Sequence, residues 1–476
     1  MPEESAHGPR PWRPGYSAAV GLILFLASLP GIPAPPGGRA NRDGNGASRP
    51  PDVVVILLDS LRADQVDRRA NDRQVMPRLA AWAARNVFFT EARAPSPSTP
   101  SSVACLLTSV PLPGLGVDFA HGQPPGAPSL PAILAARGWT TLAWSANPNC
   151  SRRLGHARGF TRFVEAWNTP LASGTRIRPD YPERIVPPGR LLSRVRASLE
   201  KASPAPVFAY VHLLQPHAPY DPPPEHRDPF CLPGARDLDV SLPHLVQLDL
   251  RGRLDPRFLA RLRSRYDGHC HWVDEALGEF LSWLDADPRF RRAAVFVLAD
   301  HGEAFGEHGK ILHNTTVHEE MLRIPVVYRP PGGAGHRLVR ARVDLLDVAP
   351  TVLAIAGIPA PATFRGIDLG PLARGKAARG RQRFLASTAS KPHLHALLVG
   401  HYKVLEERGR PPRLYDVAAD PGEAHDLAAE RPEILGALLR AMRREVATLE
   451  DGGWEAPEAP PGPEERKLLR SLGYVD

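Results

Sequence analysis

The chain has 476 residues, of which 43% are hydrophobic and 23% charged, a balance that excludes a disordered or fibrous protein and exceeds one small domain. The four cysteines, Cys105, Cys150, Cys231 and Cys270, show no CxxC spacing, which argues against a zinc finger. The formal net charge of +8 comes almost wholly from arginine, and two readings compete: a positive surface that attracts anionic substrates, or the codon preference of a GC-rich genome. With 54 prolines, loops are expected to be long and stiff.

Arg10 and Arg13 precede the apolar segment Ser17–Leu29, which is short for a membrane span of about 20 residues and fits the core of a secretory signal. Residues 1–34 are therefore expected to be a signal peptide, or alternatively an N-terminal anchor, and 35–50 a linker. Export to the periplasm or the exterior follows. In that setting Cys150 and Cys231, both in loop-like contexts, could pair, whereas Cys105 reads as core.

The folded unit begins near residue 51. Asp52–Leu58, DVVVILL, is a continuous apolar run of the kind expected for a strand covered on both faces, and it ends in Asp59. Pro77–Arg85 reads as a helix with proline near its first position. In Ala94–Ser109, Pro100 followed by Ser-Ser and an apolar run marks a second helix start. Thr99 sits at or just before that start, either as a simple cap or as a nucleophile facing free N–H groups and the positive helix end.

Further along, Ser129–Arg137 is helical and Thr140–Ser145 a short strand ending at Asn147-Pro148-Asn149. Phe160–Glu165 leads into another strand. Arg176–Arg190 reads as a surface excursion. Val207–Leu213, VFAYVHL, is a buried strand carrying His212, with His217 just past its end. Pro256–Leu284 has helical periodicity. Val295–Ala299 is again an unbroken apolar run, and it stops in Asp300-His301-Gly302-Glu303. A buried carboxylate is costly unless paired or metal-bound, so Asp300 and His301 read as metal ligands at the end of a parallel strand. Ile324–Tyr328 is a strand, and Val343–Ala356, with Asp344 and Asp347, reads as a helix. From about Ala377 the segments shorten into an antiparallel pattern: Phe384–Thr388, Ala396–Val399, Tyr402–Glu406 and Leu414–Asp416. An amphipathic helix, Pro432–Leu449, follows, and then a linker at 451–463 and a short element at Lys467–Val475. The divisions are thus 51–375 for a large unit, 376–450 for a small one and 451–476 for a tail.

These landmarks, in this order, resemble the sulfatase family of the alkaline-phosphatase-like superfamily. The resemblance rests on VVVILLDSLRAD, ANPNCS with Gly159-Phe160, VHLLQPHAPYDPP, LADHGEAFGEHG with HEEMLRIPVVY, GHYKVLEERGRPPRLYDVAADPGEAHDL and LRSLGYVD, and it covers nearly everything after residue 50. It implies an α/β three-layer sandwich with a large mixed sheet, plus a small C-terminal α/β subdomain with an antiparallel sheet. It also implies a hydrolase of sulfate or phosphate esters at one divalent metal, Ca, Mn or Zn, with substrate specificity set by loops such as 170–205 and 221–255. Carried over position by position, Asp59, Asp300 and His301 become metal ligands together with Thr99, which takes the nucleophile position when SVACLLTS is aligned with the family's SVASLLTG. A shift of one residue would select Ser98 instead. His217, His313 and Lys310 become candidates for binding the anionic group or protonating the leaving alcohol.

The sequence also departs from the pattern. There is no Cys-x-Pro-x-Arg, so no formylglycine is expected, and Val103 or Ser102 replaces the arginine. Ser60 stands for the second aspartate of the first strand, and Gln215 for the aspartate of FDPH. These changes favour a Thr or Ser nucleophile, as in the phosphodiesterases and phospho-group transferases of the superfamily. The expected partner is a small anionic ester, a sulfated or phosphorylated glycan, lipid or aryl ester, and no nucleic acid. The alternatives are a phospho-group transferase close to a membrane and a catalytically inactive binding protein that keeps the fold.

Overall fold

The structure, a computed structural model, describes the chain apart from residues 1–48, 119–121, 173–184, 253, 377–379, 390–392 and 454–476. The expected export segment, most of its linker, part of the Arg176–Arg190 excursion and the terminal element Lys467–Val475 lie outside the described residues. No described helix is long and apolar enough to cross a membrane.

From residue 51 onward the chain forms one compact unit around an eight-stranded mixed sheet. Its strands are β1 (Val53–Asp59), β2 (Val87–Arg93), β3 (Thr140–Ser145), β4 (Arg162–Glu165), β5 (Val207–Pro216), β6 (Ala294–Ala299), β7 (Val326–Arg329) and β8 (Arg337–Asp344). They lie in the order β8-β2-β7-β6-β1-β5-β3-β4. The five strands from β6 to β4 run parallel, β7 runs antiparallel to both its neighbours, and β8 pairs parallel with β2. Every residue of β1, β5 and β6 is buried, so both sheet faces must be covered. The cover is two sets of helices. One packs α1 (Pro77–Ala83) and α4 (Pro188–Leu199) on the long α6 (Pro256–Ala286), and the other joins α2 (Thr99–Thr108), α3 (Leu130–Ala135) and α7 (Val348–Ile355). Each of the six apolar side chains Val53–Leu58 is fully buried, which at roughly 1.5–3 kcal/mol apiece anchors β1 firmly in the sheet.

Three expectations change. Val343 and Asp344, expected to begin a helix, instead end the edge strand Arg337–Asp344. Asp344 ends it and forms a reciprocal cap with Asp347, and α7 starts only at Val348. Residues 188–199, inside the expected specificity loops, form α4 behind Pro188, and Leu242–Arg251 forms α5. All four cysteines are free, three of them buried, so Cys150 and Cys231 are not paired.

The small C-terminal sheet is antiparallel in sequence order, β9 (Arg383–Ser387), β10 (Leu394–Val399), β11 (Tyr402–Glu407) and β12 (Arg413–Asp416). Alternation splits its side chains. Leu385, Leu397 and Leu414 meet Leu438 and Met442 of α8 (Pro432–Thr448), and Phe384, Ala396 and Leu398 meet Val317 and Leu322 of the large unit. A buried charge chain reinforces that seam. Arg93 lies 2.7 Å from Glu319, and the Lys403 ammonium sits 3.0 Å from Glu319 and 2.9 Å from Glu423.

The start of α1 is held from outside the helix. The Asp274 carboxylate on α6 accepts from the N–H groups of Arg78 (2.9 Å) and Leu79 (2.8 Å). Burial pushes Asp274 up to about 6 despite those two donors. A carboxyl raised on folding gives its full stabilisation below the unfolded value near 4, and loses it as pH rises toward the folded value. Wild-type stability, measured by urea unfolding against Asp274→Asn, is therefore expected to fall by about 2 kcal/mol between pH 4 and pH 6. A difference that stays flat over that window would show that Asp274 titrates normally.

Candidate active site

The candidate residues gather at the C-terminal edge of the sheet, because β1 and β6 run parallel and adjacent, β1 ending in Asp59 and β6 running directly into Asp300. Register brings Leu58 beside Ala299, so Asp59 and Asp300 emerge side by side. On the other flank a register shift between Leu58 and Asp59 pairs Asp59 with Pro216 of β5. Ser60 then adopts a left-handed conformation, φ 60°, uncommon for a residue with a Cβ. There its N–H donates to Asp300 Oδ1 at 3.1 Å and its hydroxyl to Asp59 Oδ1 at 2.9 Å. The residue that stands for a second aspartate thus orients both carboxylates. Past His301, Gly302 has no room for a side chain, since a Cβ there would lie 2.2 Å from the Glu320 carbonyl oxygen.

Thr99 is the first residue of α2 and Ser98 is its cap residue, without a side-chain cap bond. The Thr99 hydroxyl lies 3.2 Å from His301 Nε2 and 3.5 Å from Asp59 Oδ2. The first intrahelical bond is Ser102 N–H to the Ser98 carbonyl, which leaves the N–H groups of Thr99 and Ser101 without partners inside the helix. His156 braces this turn. Its Nδ1 accepts from Ser151 N–H at 3.2 Å, so Nε2 carries the proton and donates to the Pro100 carbonyl at 3.0 Å. Burial holds His156 down to about 4 and hence neutral.

Asp59 is fully buried and accepts from several donors. His212 Nε2 lies 3.1 Å from its Oδ2, and the Asn147 amide donates to the same oxygen. Burial opposes its charge, but His217, His212 and His301 hold the carboxyl well below the usual carboxylate range. Burial likewise opposes a charge on His212, yet the bonds to Asp59 and Cys150 push it up to about 10. Asn147 is aimed by its own loop. Its Oδ1 accepts from Asn149 N–H at 2.7 Å, which turns Nδ2 toward Asp59 and, at 3.5 Å, the Thr99 hydroxyl.

A cation fits among Asp59, Asp300 and His301. His301 Nδ1 faces the Gly302 carbonyl at 2.9 Å, an acceptor only, so the proton sits on Nδ1 and Nε2 offers a lone pair. That lone pair faces Asp300 Oδ2 at 3.5 Å and Asp59 Oδ1 at 3.9 Å. Asp300 Oδ2 is buried with no hydrogen-bond partner. Three acceptors turned on one another, all within 4.8 Å, form a candidate ligand set for a divalent ion.

His313 and His217 line up beside it. The His301 and His313 rings are 4.4 Å apart and those of His313 and His217 4.9 Å. Nδ1 of His313 bonds the buried Glu303 at 2.8 Å, whose other oxygen accepts from the Tyr220 hydroxyl at 2.8 Å. Nδ1 of His217 donates to the Ala218 carbonyl. Both rings therefore keep Nε2 for a substrate. Lys310 is not brought into this group. Its ammonium lies 3.5 Å from Asp249 on α5 and makes no bond to the cluster.

Asn147, His212, Ser60 and Glu303 were not assigned site roles on the sequence. The available signal was position, since each lies within four residues of the end of a buried parallel strand. A second set of potential ligands, His308, His318 and Glu320, is arranged differently. The two rings stack in parallel, 3.5 Å and 6° apart. His308 is bonded at both nitrogens, to Glu320 (2.9 Å) and to the Glu423 carbonyl (3.2 Å). Parallel rings direct their lone pairs along parallel lines, so this set fastens the seam to the small sheet.

An alkaline-phosphatase-type α/β sandwich with an alcohol at a helix start, facing two carboxylates and an imidazole, defines a hydrolase of oxyanion esters. The chain belongs to the sulfatase family. The family profile described as Sulfatase matches residues 51–358, and one described as N-sulphoglucosamine sulphohydrolase, C-terminal, matches 306–450. Arylsulfatase K of Rattus norvegicus is 23% identical over 89% of this chain and 82% of its own length. The phosphonate monoester hydrolase of Agrobacterium radiobacter superimposes with a TM-score of 0.66 at 19% identity, covering 83% of this chain and 96% of that one. A chain solved in complex with its substrate D-glucosamine-2-N,6-O-disulfate gives 0.68 at 17% identity, covering 86% and 100%. At such identities the structural matches establish the fold.

Protein dialysed after exposure to a divalent salt is expected to retain about one ion per chain by emission spectrometry, and Asp300→Asn to retain almost none. Equal retention in the variant would place the ion elsewhere.

Proposed function

We propose that this chain is a metal-dependent hydrolase of sulfate or phosphate esters in which the Thr99 hydroxyl is the nucleophile. The observation that carries the reading is the position of that hydroxyl, at the first residue of α2 and within 3.5 Å of both Asp59 and His301. Asp59, Asp300, His301 and Thr99 would hold the cation, and carboxylates mixed with an imidazole suit Ca, Mn or Zn. Once bound, it supplies Lewis-acid stabilisation of a Thr99 alkoxide and of the ester oxygens.

The remaining roles belong to the chain's own groups. Thr99 Oγ1 forms a bond to the sulfur or phosphorus as the bond to the leaving alcohol breaks, giving a Thr99 ester that water later releases. The Asn147 amide and the unpaired N–H groups at the start of α2 donate to the non-bridging oxygens. His313, steadied by Glu303, and His217 offer Nε2 to bind the anion and to return a proton to the leaving oxygen. Lys310, held by Asp249, is given no part. The relative solved with glucosamine disulfate supports a sulfated glycan as the natural ester. The Thr99 nucleophile supports phosphate esters too, so the assay must offer both. Export of the enzyme is inferred from Ser17–Leu29 behind Arg10 and Arg13.

Matched aryl sulfate and aryl phosphate esters, with metal supplied, test the reading. Thr99→Ala is expected to lower kcat by about 10³-fold or more, Asn147→Ala by about 10²-fold, and Ser98→Ala by less than about threefold. Loss of activity in Ser98→Ala with Thr99→Ala active would move the nucleophile by one residue. No turnover of either ester by the metal-loaded wild type would favour a binding protein.

A further inference from the structure

A cleft of about 380 Å³ opens beside the outer strands β3 and β4, under α4. Its walls include Thr140, Leu142 and Trp144, alternate residues on one face of β3, together with Arg162 of β4, Arg194 and Ser198 of α4, and Lys201 just beyond that helix. Thr140 begins β3, whereas Ser145 ends it two residues before Asn147. The cleft therefore lies low on the sheet, with the Thr140 end roughly 16 Å down the strand from the active-site edge.

Three cations line this one cleft, and among the described residues none has a hydrogen bond, ion pair or ring contact with a protein group. The carboxylates of the adjoining segments are engaged elsewhere. Glu200 pairs with Arg196 at 2.8 Å, Glu165 accepts from the Arg152 N–H at 2.9 Å, and Asp52 holds Arg289 at 2.9 Å. The rim is also held in shape. Arg289 binds the carbonyls of Ala202 (3.2 Å), Ser203 (2.9 Å) and Ala205 (2.9 Å), so those acceptors are turned toward it. A concavity with uncompensated positive charge, hydroxyl groups and an apolar wall matches an anion carried on a polar ring.

We propose that this cleft is a second binding site that takes a sulfated or carboxylated sugar unit of a polymeric substrate, away from the reacting centre. The choice of a sugar as carrier of the anion rests on the sulfated-glycan reading above. The charge and shape of the cleft do not depend on it. Held there, one anionic unit of a chain would raise the local concentration of the others at Thr99.

The test uses full-length Thr99→Ala and a sulfated disaccharide, too short to span both sites, titrated calorimetrically at low salt. Two sites per chain are expected, one weakening as salt is added. Adding Arg162→Ala, Arg194→Ala and Lys201→Ala should remove one site or weaken it by about tenfold or more. In the wild-type background the same three changes should raise KM for a sulfated oligosaccharide while kcat for the aryl ester stays within twofold. Two undiminished sites in the variant would overturn the proposal. Equal binding of inorganic sulfate, or equal competition by a DNA oligonucleotide, at the second site would overturn its assignment to a sugar. Should the triple variant unfold early on heating, the single changes Arg194→Glu and Lys201→Gln carry the same reading. Absence of turnover alongside loss of one disaccharide site would sink the hydrolase reading and leave the cleft.

Discussion

A buried carboxylate at the end of β1 governs the arrangement of the whole edge. Asp59 is fully enclosed, and in such surroundings an uncompensated charge is among the costliest things a fold can contain. Its neighbours are the compensation: the Ser60 hydroxyl, the Asn147 amide and His212, drawn from three different segments. Each is set by its own local geometry, by a left-handed turn, by an Asn–Asn loop bond and by a strand register. The same enclosure explains why His301 and Asp300 face inward with their acceptor atoms rather than toward water. An ester hydrolase gains from this because a dry, fixed set of charges does not have to reorganise as the anion arrives.

The parts of this fold that could be read directly from the residues are those where pattern and burial coincide. DVVVILL and VFVLA are continuous apolar runs because their strands lie in the middle of the sheet, and each announces its functional residue by stopping at it. The peripheral elements were harder. β8 reads RLVRARVD, half exposed at the sheet edge, with no clean alternation to separate it from the turn that follows. α4 hides in an Arg- and Pro-rich stretch where composition suggests a loop, although its Leu191, Leu192, Val195 and Leu199 are buried on one face.

Among candidate site residues, the cluster of Asp59, Asp300 and His301 was legible because strands run into them. Thr99 was not separable from a helix cap by local pattern alone, since its role depends on what faces the helix start. Asn147 and Glu303 act through contacts with residues far off in the chain, and no local spacing encodes such contacts. Lys310 shows the same dependence on distant contacts. Its place in the sequence fits an anion-binding cation, but Asp249 on a helix about sixty residues away engages it.

The candidate ligand set of Asp59, Asp300 and His301, with Thr99 beside it, draws on segments that meet only when the central strands have paired across more than two hundred residues. Such long-range closure is slow compared with local helix formation. No fragment that lacks either β1 or β6 can offer the set, and a partly folded chain offers scattered, weaker donors. Ion uptake is thereby linked to completed folding: an ion that prefers the finished edge draws the population toward the native state by mass action. A site closed in this way makes the ion content of the surroundings a determinant of folding yield.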